Sequence, residues 1–248
     1  MSGFHDHFSD VSRDYQRFRP AYPPALFVQL AALAPGNQRA WDCGAGSGQA
    51  AGGLLDHFAS VLASDASTSQ IDKCQVPGVL RFCAAAESAP LVDHCVDLIT
   101  VAQAVHWFDL ERFFAEARRV LKPGGLLAVW TYRLLHSRPE LDEIISRLHS
   151  ETLGGDWPEQ RKLVDGGYAD LPFPFEELSL PPQHMSANWD LDGVMGYLAT
   201  WSAVGRYRKR TGVDPLPGVR DELQQRWPAG LAEVKISWPV AIRVGRVA

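Results

Sequence analysis

Cysteine is scarce in this 248-residue chain, and the four present, Cys43, Cys74, Cys83 and Cys95, form no C-x-x-C pair. That spacing argues against a zinc framework or a disulfide scaffold and suits reduced, buried thiols in an intracellular protein. Long apolar runs are missing as well. None approaches the ~18 residues of a membrane-spanning helix. The opening MSGFHDHFSDVSRDY carries charges and no apolar h-region, so no secretory signal is expected and a cytoplasmic location follows. Nor is there an excess of positive charge. With 24 Lys and Arg against 29 Asp and Glu, the formal charge is -5, and no global field recruits nucleic acid or an anionic membrane. No internal repeat, low-complexity tract or linker divides the chain, so one domain over residues 1–248 is expected, a monomer or homodimer.

What is present is an ordinary globular composition, 46% hydrophobic and 21% charged. A core of this size should bury roughly 70–75% of the unfolded surface without a staple. From Arg39 onward, short β-rich runs alternate with helical patterns. The strands read as RAWDC (39–43), SVLASD (60–65), VLRFCA (79–84), VDLITVA (96–102) and GLLAVWTY (125–132). Among the intervening segments, DLERFFAEARRVL places Leu110, Phe113, Phe114, Ala117, Val120 and Leu121 at spacings of three and four, one apolar helix face that the KPGG stretch should stop. Strand and helix in repeated alternation imply a doubly wound, Rossmann-like α/β sheet, mostly parallel, with its ligand crevice at the carboxyl ends of the strands. Further on, FEELSLPPQHMSANW and VKISWPVAIRVGRV read as long terminal strands, antiparallel neighbours finishing the sheet. LDGVMGYLATWSAVGRYRKR and PGVRDELQQRWP read as helices over the crevice. The chain thus divides into an N-terminal helical lid (1–38), a core (39–132) and C-terminal strands with a helical cover (133–248).

The stretch AWDCGAGSGQAAG sets Gly44, Gly46 and Gly48 between the first strand and a helix. Such a loop is either a tight turn alone or a surface on which a cofactor lies against backbone N–H groups at a positive helix end. Asp42, just before it, is ill suited to a pyrophosphate and suited to an ammonium or sulfonium. The dinucleotide fingerprint also fails at its third glycine, because Gln49 follows Gly48. Asp65 ends the second strand, where a carboxylate can accept from both hydroxyls of a ribose; a helix-capping role is the structural alternative.

These pieces resemble class I S-adenosylmethionine-dependent methyltransferases. The resemblance rests on DCGAGSG (42–48), ASDAS (63–67), AAAESAPL (84–91), VDLITVAQAVHWFD (96–109) and RVLKPGG (119–125), in the family's order and spacing. It implies the seven-stranded methyltransferase fold and S-adenosyl-L-methionine as cofactor. Asp42, Gly44, Ala45, Gly46 and Gly48 would line its methionine part, and Asp65 with Ala66 would hold the ribose. Ala86 and Glu87 would border the adenine, and Gln103 would follow the fourth strand beside the cofactor. Here the family's D-A-x-x-L-P pattern is replaced, with Ala85, Ala86 and Glu87 ahead of Ala89-Pro90. YQRFRPAYP (15–23), HWF and YLATWSAVGRY (197–207) are similar to the small-molecule branch that includes trans-aconitate methyltransferase. In that branch Arg19 would meet the cofactor's carboxylate and Tyr15 would close over it; a packed helical lid is the alternative.

On the acceptor side, His106 follows the fourth strand and is a base, an orienting group or a structural histidine. Trp130, Tyr132, Trp201 and Tyr207 are candidate pocket walls. RYRKR (206–210) is a solvated helix face or a binding site for an anionic acceptor. Methyl transfer from a sulfonium needs alignment more than a catalytic residue. The expected function is methyl transfer to a small molecule, possibly anionic, with no nucleic acid, membrane or metal involved. The rivals are a nicotinamide-dependent oxidoreductase and a non-catalytic cofactor-binding module.

Overall fold

The computed structural model describes residue 18 and residues 20–247 of the chain. Tyr15 and Arg19, expected at the cofactor, lie outside the described residues. The first half runs α1 (Pro24–Leu33), β1 (Arg39–Cys43), α2 (Gln49–Leu54), β2 (Ser60–Asp65), a one-turn α3 (Thr68–Ile71), β3 (Val79–Cys83), β4 (Val96–Ala102), a 3-10 turn at Val105–Trp107, α4 (Leu110–Val120) and β5 (Leu121–Tyr132). The second half adds α5 (Pro139–Arg147), a π turn (Leu148–Thr152), a 3-10 turn (Gly154–Asp156), α6 (Arg161–Asp165), β6 (Glu176–Leu178), β7 (Gln183–Trp189), α7 (Leu191–Ala199), α8 (Ser202–Thr211), α9 (Leu216–Arg226) and β8 (Val234–Arg246).

The sheet order is β3-β2-β1-β4-β5-β8-β6, with β7 also paired to β8. Strands β1 to β5 pair in parallel, and β8 runs antiparallel to β5, β6 and β7. Strand β6 meets β8 at Val244–Arg246 and β7 meets it at Val234–Val240, so the two share one edge position and the sheet has seven positions. This is the expected doubly wound architecture. Its strand order reverses between β1 and β4, which sets the loop after β1 opposite the turn after β4.

Burial explains the strand sequences. β4 is buried along six of its seven residues, as a central parallel strand covered on both faces must be. One core layer gathers Leu26, Leu30, Leu54, Trp130 and Trp238; the other gathers Trp41, Ile99, Phe113 and Tyr168. Helix α4 turns Phe113, Phe114, Ala117 and Val120 inward, and its N-cap Asp109 accepts the Arg112 N–H at 3.3 Å.

Four local expectations change. Helix α4 ends at Val120, one residue short of the expected Leu121, which is already extended. Strand β5 therefore starts at Leu121 and bulges, its register jumping from Val96↔Leu121 to Leu98↔Leu126. Pro181 and Pro182, which lack ladder N–H donors, split the expected strand into β6 and β7. The single helix expected over 191–210 breaks at Thr200–Trp201 into α7 and α8. Finally, Cys83 is exposed, while Cys43 and Cys74 are buried as expected. Among the described residues no helix is long and apolar enough to cross a membrane.

Candidate active site

All three loop glycines adopt left-handed backbone, with φ of 71° at Gly44, 52° at Gly46 and 82° at Gly48, a conformation that costs a residue with a Cβ about 1–2 kcal/mol. Their surroundings differ. A Cβ on Gly48 would lie 2.3 Å from the Cys74 sulfur, and one on Gly44 would lie 2.6 Å from the Ala104 Cβ. A Cβ on Gly46 would meet no protein atom within 4 Å. Two glycines are thus explained by packing and turn geometry. The third presents bare main chain to an open cradle, as a cofactor lying on the loop requires.

Asp42 supports this loop from below. Its side chain is 0% exposed and accepts from Ala51 N–H at 3.0 Å and from the Thr100 hydroxyl at 2.8 Å. Burial pushes its pKa up to about 7 against the pull of these two bonds. It does not reach the ligand face as an open charge; it ties α2 and β4 to the loop. Asp65 is only half-buried, accepting from Gly46 N–H at 3.0 Å and from Ser67 N–H at 2.9 Å. It therefore stiffens the cradle and closes the turn into α3, while further lone pairs on its two oxygens could accept ribose hydroxyls. Ala45 N–H donates to Ser64 carbonyl at 2.9 Å, and Ala66 is exposed at the end of β2. On the far side, Ala86 is buried and Glu87 accepts from Asp109 N–H at 2.9 Å, at the start of α4. These positions lie along the carboxyl edge of β1 to β4, and their residue types fit S-adenosylmethionine: main-chain donors, one partly open carboxylate and an apolar rim.

Beyond the turn after β4 lies a cavity of about 110 Å³. Gln103, His106, Trp107, Tyr132, Trp157 and Trp201 line it together with Arg133 and Arg161. Of the expected wall residues, Tyr132 and Trp201 take part. Trp130 is wholly buried in the core, and Tyr207 carries Arg210 over its ring at 5.2 Å instead. The expected cation run also lies elsewhere: Arg208 is held by Asp214 at 2.8 Å and Arg210 by Asp156 at 2.6 Å. Among the described residues the cavity's cations are Arg133 and Arg161, neither of them a candidate from the sequence. Arg161 stacks on Trp157 at 4.5 Å, and its Nε donates to Asp165 at 2.8 Å. Among the described residues its two terminal nitrogens have no hydrogen-bond partner, and none of those lining the cavity is a carboxylate.

His106 faces this cavity, and its Nδ1 lies 2.8 Å from the Tyr168 hydroxyl. Burial, and secondarily the Arg161 cation, lowers its pKa to about 3, so the ring is neutral at neutral pH and a feeble base. Tyr168 was not singled out from the sequence, and burial raises its phenol above the usual range. The neighbouring Gly166-Gly167 pair was the only local sign of a special turn there.

A family profile described as "Methyltransferase domain" matches residues 41–129. A Dictyostelium discoideum protein described as a methyltransferase is 32% identical over 225 residues, spanning 89% of this chain and 86% of that protein. An uncharacterized methyltransferase of Mycobacterium tuberculosis is 39% identical over 145 residues, 56% of this chain and 59% of its own length. A solved structure from Anaeromyxobacter dehalogenans, described as a type II methyltransferase, is similar with a TM-score of 0.86 and 45% identity, covering 92% of this chain and 97% of that one.

Proposed function

The chain belongs to the class I S-adenosylmethionine-dependent methyltransferases, and from that premise we propose that it methylates a small-molecule acceptor carrying a carboxylate or other anionic group. The observation that carries this reading is the cavity at the end of β4, where the described lining residues include two arginines and no carboxylate. It adjoins the glycine loop, because Gly44 packs directly on Ala104 and Phe108 of the following turn. The resemblance of YQRFRPAYP, HWF and YLATWSAVGRY to a small-molecule branch supports the same acceptor size, and the net charge of -5 speaks against a nucleic-acid substrate.

When bound, S-adenosylmethionine supplies a methyl group already activated by its sulfonium. The remaining tasks fall to this chain: aligning the acceptor and excluding water, worth up to ~7–11 kcal/mol. The Gly46 main chain and the Asp65 carboxylate fix the cofactor side, with Ala86 and Glu87 at the adenine end. Arg161 and Arg133 hold the acceptor's anionic group, and Trp157 and Trp201 close over its body. His106 stays neutral and orients the acceptor; with a pKa near 3 it does not take up a second proton at neutral pH.

The test is to incubate the protein with S-adenosylmethionine labelled in its methyl group and a panel of small hydroxy, amino and carboxylic acids. Label recovered in a small-molecule product is expected. Label recovered only in nucleic acid or protein acceptors offered in parallel would overturn the proposal.

A further inference from the structure

The two cavity arginines are held in different ways. Arg133 is exposed and lies against the Gly166-Gly167 turn, where its Nη2 donates to the Gly166 carbonyl at 3.3 Å and would come within 2.5 Å of a Cβ on Gly167. Solvent screens a charge so placed. The Arg161 side chain is only 23% exposed. Its Cζ sits over the Trp157 ring, 4.5 Å from the centroid, and its Nε donates to Asp165 Oδ1 at 2.8 Å. Trp157 is fixed in turn: its Nε1 donates to the His149 carbonyl at 2.9 Å, and its ring meets those of His149 and Trp201 at 4.8 and 5.6 Å. Asp165 stands four residues on from Arg161, one turn along α6.

With one face and its Nε engaged, Arg161 keeps the end of its fork, Nη1 and Nη2, for a ligand; neither nitrogen has a hydrogen-bond partner among the described residues, and the residue lines the cavity. A carboxylate meets that end with two parallel N–H···O bonds, which a lysine ammonium cannot reproduce. Charge narrows the class. Asp165 offsets the Arg161 cation and Arg133 is screened, so this wall balances one negative charge rather than the roughly two of a phosphate monoester. Around the arginines, Trp107, Tyr132, Trp157, Tyr197 and Trp201 present aromatic surface that suits an apolar body.

We propose that the methyl acceptor is an apolar monocarboxylic acid whose carboxylate docks end-on and bidentate at Arg161. Trp157 and Asp165 are positioning residues that aim the fork, and Asp165 also sets the one-charge limit. This rests on the methyl-transfer reading of the cavity and narrows it from anionic acceptors in general to one class.

The probe is sodium benzoate, titrated calorimetrically into the full chain saturated with S-adenosylhomocysteine at about pH 8, where the comparator phenyl phosphate is a dianion; benzyl alcohol is the uncharged comparator. Benzoate should bind the parent about tenfold more tightly than either. Arg161→Lys keeps the cation and loses the fork, and should weaken benzoate about tenfold, as much as Arg161→Ala. Asp165→Asn keeps an oxygen for Nε and removes the offsetting charge, so benzoate should still bind while phenyl phosphate gains about fivefold. Parent-like affinity for S-adenosylhomocysteine in each variant shows that the fold is intact. No benzoate binding to the parent, or phenyl phosphate or benzyl alcohol binding as tightly as benzoate, would overturn the proposal. So would parent-like benzoate affinity in Arg161→Lys or unchanged selectivity in Asp165→Asn. Labelled-methyl turnover decides the methyl-transfer reading independently of these affinities, so the two fail separately.

Discussion

Around the loop after β1 the site is made of main chain held in left-handed turns, whereas across the cleft the cavity wall is made of side chains. Gly44, Gly46 and Gly48 offer no side chain at all; of the supporting carboxylates, Asp65 accepts from the loop's Gly46 N–H and Asp42 from Ala51 N–H in α2. The facing wall draws Gln103 and His106 from the end of β4, Arg133 from beyond β5, Trp157 and Arg161 from around α6, and Trp201 from between α7 and α8. The first kind of surface tolerates almost no substitution and suits an invariant ligand. The second can be re-cut residue by residue, as an acceptor site that differs among enzymes of one fold requires.

The sharpest way to break this contrast is at the glycines. Gly48→Val should destabilise the fold by about 2–5 kcal/mol, combining left-handed strain with overpacking against Cys74. Gly46→Ala should cost only about 1–2 kcal/mol of stability, yet weaken S-adenosylhomocysteine more than tenfold, since its methyl occupies the cradle. Denaturant melts paired with calorimetric titration separate the two. Equal stability losses with intact ligand binding would erase the distinction between packing and cradle glycines.

Asp65 comes next. Asp65→Ala should weaken cofactor binding by about 1.5–3 kcal/mol, the range for hydrogen bonds to a charged group, and Asp65→Asn should recover part of it. Unchanged affinity in a folded Asp65→Ala protein would confine the residue to its bonds with Gly46 and Ser67.

On the side-chain wall, Arg161→Ala should raise the KM of an anionic acceptor about tenfold at low salt, near the lower end of the range for such bonds, while cofactor affinity stays intact. The salt dependence of KM should shrink in the same variant, because exposed charges are screened over ~8–10 Å. Arg208→Ala, already paired with Asp214, should leave KM unchanged. The reverse pattern would move the anion site to α8.

A last prediction concerns pH. The folded pKa of Asp42 is raised to about 7 from 3.8, so its contribution to stability is fully present below about pH 3.8 and declines as pH rises through 7. The parent should therefore lose stability relative to Asp42→Asn between pH 5 and pH 8. A difference that stays flat over that window would show that Asp42 is ionised throughout.

The contrast also explains what could be read in the sequence. Strands β1 to β4 and the loop glycines are short-range features, each coded within a few consecutive residues, and their boundaries match the structure within one residue. The cavity wall is not short-range. Tyr168 meets His106 from 62 residues away, and its segment carries no apolar periodicity. The RYRKR cluster drew attention to α8, but Asp156 and Asp214, distant or unremarkable in sequence, already hold two of its cations. Asp42 was read as a charge facing a ligand because burial cannot be seen in a motif; only the fold shows that Thr100 and Ala51 surround it.

The central claim is that the cofactor of this methyltransferase lies on the open main chain of Gly46. Isothermal titration of S-adenosylhomocysteine into the parent and into Gly46→Val, with NAD as control, tests it most directly. The account predicts binding to the parent, accompanied by a raised Tm, no binding of NAD, and loss of S-adenosylhomocysteine binding in a folded Gly46→Val protein. Binding of NAD without S-adenosylhomocysteine, or parent-like affinity in Gly46→Val, would contradict it.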